Sequence, residues 1–227
     1  MMIDIIIPTY EYKGLCREML EQCLQSIDMQ TYKNYNVIIV DHSKDDVIEK
    51  YVKKWKIPIS YHRNERGRGN SSINMNEGLK LATGDYIKIL HMDDWFCNKD
   101  ALALMNIAIQ KEPEKSWGGF GFNHFYEQEN QISRFIKPHI NSDIRTLLGC
   151  PSVSFFINNK KEPIYYDENL IIINDSDMHI RLGKKYGNPI LIDDICVTIR
   201  MHENQVSNNV SNQKHLEEIA YYRKKNF

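Results

Sequence analysis

Three polar clusters in this chain follow directly on apolar, β-branched runs: Pro8-Thr9-Tyr10-Glu11, Asp41-His42-Ser43 and His91-Met92-Asp93-Asp94. Side chains at the ends of neighbouring parallel strands converge on one crevice, however far apart they lie in sequence. Adjacent carboxylates such as Asp93 and Asp94 repel unless something positive sits nearby, and a divalent cation suits carboxylate oxygens. The plainer use of the same pair is to cap the turn that follows. A fourth stretch, Arg63 to Asn70, concentrates cations and glycines. There guanidinium and backbone N–H groups can hold phosphate oxygens at a helix start. It is neither a Walker loop nor a GxGxxG fingerprint, and an ordinary basic loop is the alternative.

These clusters need elements to aim them. Ile3 to Ile7 reads as a buried strand stopped by Pro8, Leu15 to Met29 as a helix, and Asn36 to Val40 as a second strand. A helix over Asp45–Trp55, a strand over Ile57–Tyr61 and a helix over Ser71–Leu81 follow, the last closed by Gly84 as its C-cap. Tyr86 to Leu90 is the strand that delivers His91. Strands alternating with helices imply βαβ units, and continuous apolar strands imply a sheet covered on both faces. Beyond Asp100 the pattern loosens. It gives a helix over Ala101–Gln110, strands over Gly118–Phe125 and Val153–Ile157, and a loop or hairpin over Glu127–Asn141. A helix over Ser176–Tyr186 ending at Gly187 comes next, then short strands at Ile190–Ile192 and Cys196–Ile199. The tail, Asn212 to Lys225, is a helix with Leu216, Ile219 and Tyr222 on one face. Its Arg223, Lys224 and Lys225 suit either a solvated helix end or contact with an anionic membrane surface.

The chain has 227 residues, 42% hydrophobic, with 29 basic and 30 acidic side chains. That is enough apolar material for a real core, and it excludes a disordered chain. The near-zero net charge argues against nucleic acid as a partner. No stretch approaches the ~20 apolar residues of a membrane span. Asp4 and Pro8 break the first apolar run, so no signal peptide is expected and the reading is a soluble, cytoplasmic protein. The five cysteines form no CxxC pair, which points away from a zinc or dithiol site and toward reduced, mostly buried thiols. With no repeat and no low-complexity linker, residues 1–227 read as one domain. It divides into a half over 1–100, a half over 101–210 and a terminal helix over 211–227.

At this level the residues carry a resemblance. Ile5-Ile6-Ile7-Pro8-Thr9-Tyr10, Gln30-Thr31-Tyr32 and Val37-Ile38-Ile39-Val40-Asp41 are similar to the opening of family 2 glycosyltransferases with the GT-A fold. Asn76-Glu77-Gly78, Ala82-Thr83-Gly84-Asp85-Tyr86-Ile87 and Leu90-His91-Met92-Asp93-Asp94 continue the match. Asn174-Asp175-Ser176-Asp177 with Arg181-Leu182, and Arg200-Met201-His202 with Ser207, complete it in order. The resemblance implies an α/β fold of GT-A type: a Rossmann-like, mostly parallel sheet flanked by helices, with a smaller mixed sheet on the acceptor side. It implies that residues 1–100 bind the nucleotide-sugar and residues 101–210 the acceptor.

The site roles it implies are specific. Pro8, Thr9, Tyr10 and Glu11 would cradle base and ribose, Asp41 would read the base, and Arg68 and Met92 would lie along the donor. Asp93 would ligate Mn²⁺ or Mg²⁺ as the last residue of a DxD motif, with His91 and His202 as further ligands. Asp175 would act as general base, with Asp177 as its competitor. The partners implied are a nucleotide-sugar donor, with UDP as its nucleotide, and a glycan, lipid-linked or protein acceptor. One sugar would be transferred with inversion, since the QxxRW motif and membrane helices of the processive branch are missing. Acceptor recognition is expected between Phe120 and Pro151, where Phe120, Phe122, Phe125, Tyr126 and Phe135 either stack on sugars or fill the core. Three departures from the family pattern stand out. His91 replaces the first Asp of DxD, Asn174 replaces a Glu, and His42-Ser43 replaces Asp-Gly. They keep a catalytically silent nucleotide-sugar-binding module open as an alternative. A sugar-nucleotidyltransferase is a weaker one, because its glycine-rich N-terminal loop is missing.

Overall fold

A computed structural model describes residues 1–11, 14–139 and 149–227. The part of the expected acceptor segment at 140–148, including the end of the expected Glu127–Asn141 loop, lies outside the described residues. The first strand, β1 (Ile3–Thr9), runs two residues past its expected stop. Proline is tolerated there because the neighbouring strand β4 (Tyr86–Ile89) pairs with β1 only as far as Ile6. The N–H that Pro8 lacks is therefore not needed by that ladder. On the other edge, β2 (Tyr35–Asp41) pairs in parallel with β1 through Thr9↔Asp41, and β3 (Ile59–Arg63) pairs in parallel with β2. The four parallel strands thus end side by side.

Helices cover both faces. Helix α1 (Cys16–Asp28) buries Leu20, Cys23, Leu24 and Ile27 against Ile3, Ile5 and Ile7. Helices α2 (Val47–Val52) and α4 (Ala101–Lys111) join that layer. On the opposite face, Ile6, Ile38, Ile87 and Ile89 pack with Met75 of α3 (Ser71–Leu81) and with Met178 and Leu182 of α5 (Asn174–Tyr186). Alternate residues of β1 serve opposite layers, which is why the strand reads as an unbroken apolar run. Helix α3 closes at Ala82, not Gly84. Gly84 and Thr83 instead donate their N–H groups to the buried Asp4 carboxylate, at 2.6 and 2.5 Å, and so tie the turn before β4 to β1.

The mixed portion is present but is not a separate sheet. β8 (Ser154–Ile157) pairs antiparallel with β4, β6 (Trp117–Tyr126) pairs antiparallel with β8, and β9 (Ile190–Met201) runs parallel to β6. The short β5 (Trp95–Phe96) and β7 (Gln131–Ile132) pair with β9 and β6. One sheet therefore passes from the parallel half to the mixed half in the order β3-β2-β1-β4-β8-β6-β9-β5. The two short strands expected near residues 190 and 197 are one strand with an irregular register around Gly121. A Cβ on Gly121 would meet the carbonyl oxygens of Asp193 and Asp194 at 2.8 Å, so only glycine lets the strands approach this closely.

The C-terminal α7 (Asn212–Asn226) starts on Ser211, whose hydroxyl accepts from the Lys214 N–H. Its inward residues are Glu218 and Tyr222, whereas Leu216 is 63% exposed. Lys225 is engaged with Asp167 and Asp177 at 2.7 and 2.8 Å, so of the three expected surface cations it points inward. No helix among the described residues is long and apolar enough to cross a membrane. All five cysteines are free; Cys16, Cys23 and Cys196 are buried, Cys97 is exposed and Cys150 is half-buried.

Candidate active site

The ends of β1, β2 and β4 open into one cleft of about 470 Å³. Pro8, Thr9 and Tyr10 line it from β1, His42 from the end of β2, and His91, Met92 and Asp93 from the end of β4. Gly69, Ser71 and Asn74 at the start of α3 form another wall. Asn74 holds the strand ends in place, donating from Nδ2 to the carbonyls of Val40 and Thr9 at 2.8 and 3.3 Å. Facing these, Asn174 and Asp175 at the start of α5, together with His202 and the segment to Val210, complete the cleft. Parallel strand ends meeting helix starts are where open α/β sheets bind ligands.

The loop after β4 is tied down from several directions. Lys88, fully buried, donates to the carbonyls of Ile89, Ser152 and Ser154 and sits over the Phe96 and Phe120 rings. Burial pushes its ammonium down to about 7. The Ser152 hydroxyl accepts from the His91 N–H at 2.9 Å. Arg200 binds both carboxylate residues of the loop. Its N–H donates to Asp94 Oδ1 at 3.0 Å, and its Nε donates to the Asp93 carbonyl at 3.1 Å. Its guanidinium also pairs with Glu127 and lies over the Trp95 and Phe125 rings. Asp94 thus spends its carboxylate on the Arg200 N–H of β9 and the Cys150 thiol rather than on capping the turn that follows, while Asp93 faces the cleft.

Electrostatics separate the two. Burial alone pushes the Asp93 carboxyl up. The hydrogen bond from His202 Nε2, at 3.1 Å, leads the effects that outweigh it and hold Asp93 below the usual carboxylate range, while burial pushes the His91 imidazolium down toward its neutral form. Asp94 is pushed up to about 7 by burial, with the Asp93 charge adding to the effect. Ligand atoms of His91, Asp93 and Asp94 lie within 4.8 Å of one another. His91 Nε2 and His202 Nδ1 are buried without a hydrogen-bond partner in the protein. A buried orphan acceptor beside an ionised carboxylate is what a cation would satisfy. The clustered donor set is one imidazole and two carboxylates, with His202 joined to it through Asp93, and nitrogen and oxygen donors of this kind suit Mn²⁺ or Mg²⁺.

On the facing wall, Asp175 is pushed up to about 6 by burial, its hydrogen bonds from the Ser176 N–H and side chain working the other way. Asp177 is not brought to the cleft. Its carboxylate is enclosed by Arg181, Lys225 and Asn226 at 2.7 to 3.0 Å, and these outweigh burial and hold it below the usual range. A carboxylate locked between two cations is not free to take a proton, which corrects its standing as competitor for the base role.

Three other expected binding residues also fall outside the lining. Asp41 is completely buried, accepting from the Tyr61 hydroxyl and the Ser43 N–H at 2.6 and 2.8 Å, with Arg63 3.8 Å away. It braces the end of β2 and does not line the cleft. The Glu11 carboxylate turns back to accept from the Gly14 N–H and Cys16 Sγ. Arg68 is not among the lining residues, and its guanidinium donates to the His42 carbonyl at 3.2 Å and lies 3.8 Å from Glu65. In the same basic loop, Arg66 is spent on Glu77 and Glu168. Phe120 and Phe122 belong to the core, while Tyr126 and Phe135 are each 39% exposed.

Several site residues had no assigned role in the sequence reading. Asn74 belongs to a row of polar residues, Ser72, Asn74 and Asn76, buried on α3. Ser72 and Asn76 face the 166–170 segment and Asn74 faces the strand ends, so their i, i+2, i+4 spacing gave no single-face signal. Arg200 was visible only as part of a motif. Cys150 and Ser152 left no signal, because nothing local marks the 150–153 turn as packing beside His91.

Comparison with known proteins agrees with this geometry. The family model described as Glycosyl transferase family 2 matches residues 4–161. The poly(ribitol-phosphate) β-N-acetylglucosaminyltransferase TarP of Staphylococcus aureus is 24% identical over 225 residues, covering 82% of this chain and 68% of that protein. S. aureus TarS (residues 1–349) in complex with UDP-GlcNAc superposes with a TM-score of 0.74 at 19% identity, over 98% of this chain and 65% of that one. The mannosyltransferase PcManGT from Pyrobaculum calidifontis, in complex with GDP-Man and Mn²⁺, gives 0.69 at 15% identity, over 98% and 63%. These solved structures establish the GT-A type of fold. The chain spans about two thirds of the length of each of these relatives.

Proposed function

The chain belongs to glycosyl transferase family 2, and from that premise we propose that it moves a single sugar, with inversion, from a UDP-sugar to a hydroxyl of a glycan. The observation that carries the reading is the meeting of Asp93, held ionised beside two imidazoles, and Asp175, held near neutrality, on the walls of one cleft. The relatives whose printed names include UDP-GlcNAc and poly(ribitol-phosphate) support the donor and a glycan-polymer acceptor.

The acceptor oxygen attacks the anomeric carbon in line, its proton passes to Asp175 Oδ, and the bond to the nucleoside diphosphate breaks with its electron pair on the leaving phosphate. A carboxylate with a pKa near 6 is mostly ionised at neutral pH yet basic enough to take that proton, an effect typically worth 10²–10⁴-fold. Asp93, His91 and His202 would hold the divalent cation, Mn²⁺ or Mg²⁺, which when bound offsets charge growing on the diphosphate. Asn174, its Nδ2 on Ser72 Oγ at 2.9 Å, fixes the helix start that aims Asp175. Pro8, Thr9 and Tyr10 form the wall available to the nucleoside, and the α3 start at Gly69 and Ser71 is the part of the cleft suited to phosphate.

The deciding measurement is a thermal-shift screen of nucleotide sugars with and without Mn²⁺, followed by donor hydrolysis assays. A larger Mn²⁺-dependent shift with UDP-sugars than with GDP- or TDP-sugars, and slow UDP release, are the expected results. Nucleotide binding with no hydrolysis or transfer over a broad panel would favour the silent binding module. Absence of any metal-dependent shift would remove Asp93 from the ligand role.

A further inference from the structure

We propose that Glu218, on the C-terminal helix α7, is a positioning residue for catalysis: it holds the segment that carries Asp175 in register with the cleft. The inference rests on the reading of Asp175 as base. Glu218 is 1% exposed, an unusual place for a glutamate. Its two oxygens accept from the Ile171 N–H at 3.0 and 3.1 Å and from the Ile172 N–H at 2.9 Å. Ile171 and Ile172 line the cleft just ahead of Asn174 and Asp175. The first helical turn then closes through the Asp177 N–H on the Ile173 carbonyl. A carboxylate on two successive N–H groups fixes both the position and the tilt of the peptide planes it binds.

The same segment is held from its other side by α3. The Ser72 hydroxyl donates to the Leu170 carbonyl at 2.6 Å, and Asn70 Nδ2 donates to the Glu168 carbonyl at 2.8 Å. The approach to Asp175 is thus clasped between the helix that walls the donor cleft and a helix that follows the whole fold. The composition of α7 argues that this is its purpose. A helix present only to cover apolar surface would turn Leu216 inward, yet Leu216 is 63% exposed and the inward face carries Glu218 and Tyr222.

The test compares Glu218→Gln with Tyr222→Ala, each in the full chain. Tyr222 is buried on the same helix, and no hydrogen bond joins its side chain to the backbone of Ile171 or Ile172. Measured well below both melting temperatures, Glu218→Gln is expected to lower kcat for transfer about 10- to 100-fold, with donor KM and UDP affinity unchanged. Amide exchange at Ile171 and Ile172 should speed up about tenfold or more. Glu218→Asp, which keeps the charge on a shorter stem, should recover part of kcat, and it stands in if Glu218→Gln does not fold. Tyr222→Ala should lose thermal stability while keeping kcat. Equal loss of kcat in Tyr222→Ala, or an unchanged kcat in Glu218→Gln despite faster exchange, would overturn the proposal. A wild-type chain that neither transfers nor hydrolyses would sink the glycosyltransferase reading instead. In that case unchanged exchange at Ile171 and Ile172 in Glu218→Gln would still refute the clasp on its own.

Discussion

The loop after β4 and the first turn of α5 each carry a pair of close carboxylates, and the two loops treat their pairs in opposite ways. In each pair one member faces the cleft and the other is sealed into the protein. After β4 the cleft-facing Asp93 is held low and the sealed Asp94 is pushed up to about 7. At α5 the cleft-facing Asp175 is pushed up to about 6 and the sealed Asp177 is held low. The difference comes from what surrounds each side chain. Imidazoles reach Asp93, a backbone N–H, a hydroxyl and a thiol reach Asp94, and guanidinium and ammonium groups reach Asp177 and leave Asp175 alone. Across the cleft this sets Asp93, held low, against Asp175, pushed up, which is the contrast that the proposed roles of charge holder and proton acceptor require.

Substitutions that undo one side of this contrast at a time rank by expected effect. The largest is Asp175→Asn, expected to cut transfer by roughly 10²–10⁴-fold while isothermal titration shows unchanged UDP binding. Undiminished turnover would move the base role to Asp177 or elsewhere. Next comes Asp93→Asn. Its loss of turnover should be on the order of 10²–10³-fold, accompanied by loss of Mn²⁺ binding measured by electron paramagnetic resonance. Retained Mn²⁺ affinity would make Asp93 no different in kind from Asp94.

A third variant, Asp177→Asn, leaves Arg181 without its counter-charge and Lys225 with Asp167 alone, and should cost about 2–4 kcal/mol of stability in chemical denaturation. The activity of the folded fraction should be preserved, and a selective loss of kcat would return Asp177 to the site. The smallest effect concerns pH. Because the Asp175 pKa is raised on folding, the folded state holds its proton more tightly, and the associated stability is present at low pH and lost as pH rises through about 6. Asp175→Asn should therefore be more stable than wild type at pH 8, by on the order of 1 kcal/mol, and show no such gain at pH 3.5. Over the same window the wild-type kcat should rise with pH and level off above about 6.

Much of the parallel half was legible in the sequence, since Ile3–Ile7, Asn36–Val40 and Tyr86–Leu90 are apolar runs that only a two-sided sheet accommodates. His91, Asp93, Asp175 and His202 were legible through their motifs, and all four line the cleft. The sequence was less informative wherever a side chain's partner is remote. Asp41 stands at a strand end like the cleft residues, and only the hydroxyl of Tyr61 and the N–H of Ser43 show that it braces the strand instead. Asp177 lies two positions from Asp175, and its withdrawal depends on Lys225 and Asn226, about 50 residues away. The continuity of the sheet through β8 was equally hidden, because an antiparallel insertion between β4 and β6 leaves no periodicity of its own.

That continuity has a mechanical side. The strand that delivers Asp93 and the strand that delivers His202 belong to one hydrogen-bonded ladder, joined through the β4–β8 and β8–β6 rungs. Swinging the halves apart would tear those rungs, so this scaffold has no hinge at its waist. Any movement at the cleft falls to its rim, where the 202–210 segment borders it, while the floor stays stiff. Such a body is less a closing jaw than a fixed anvil, whose face keeps its shape.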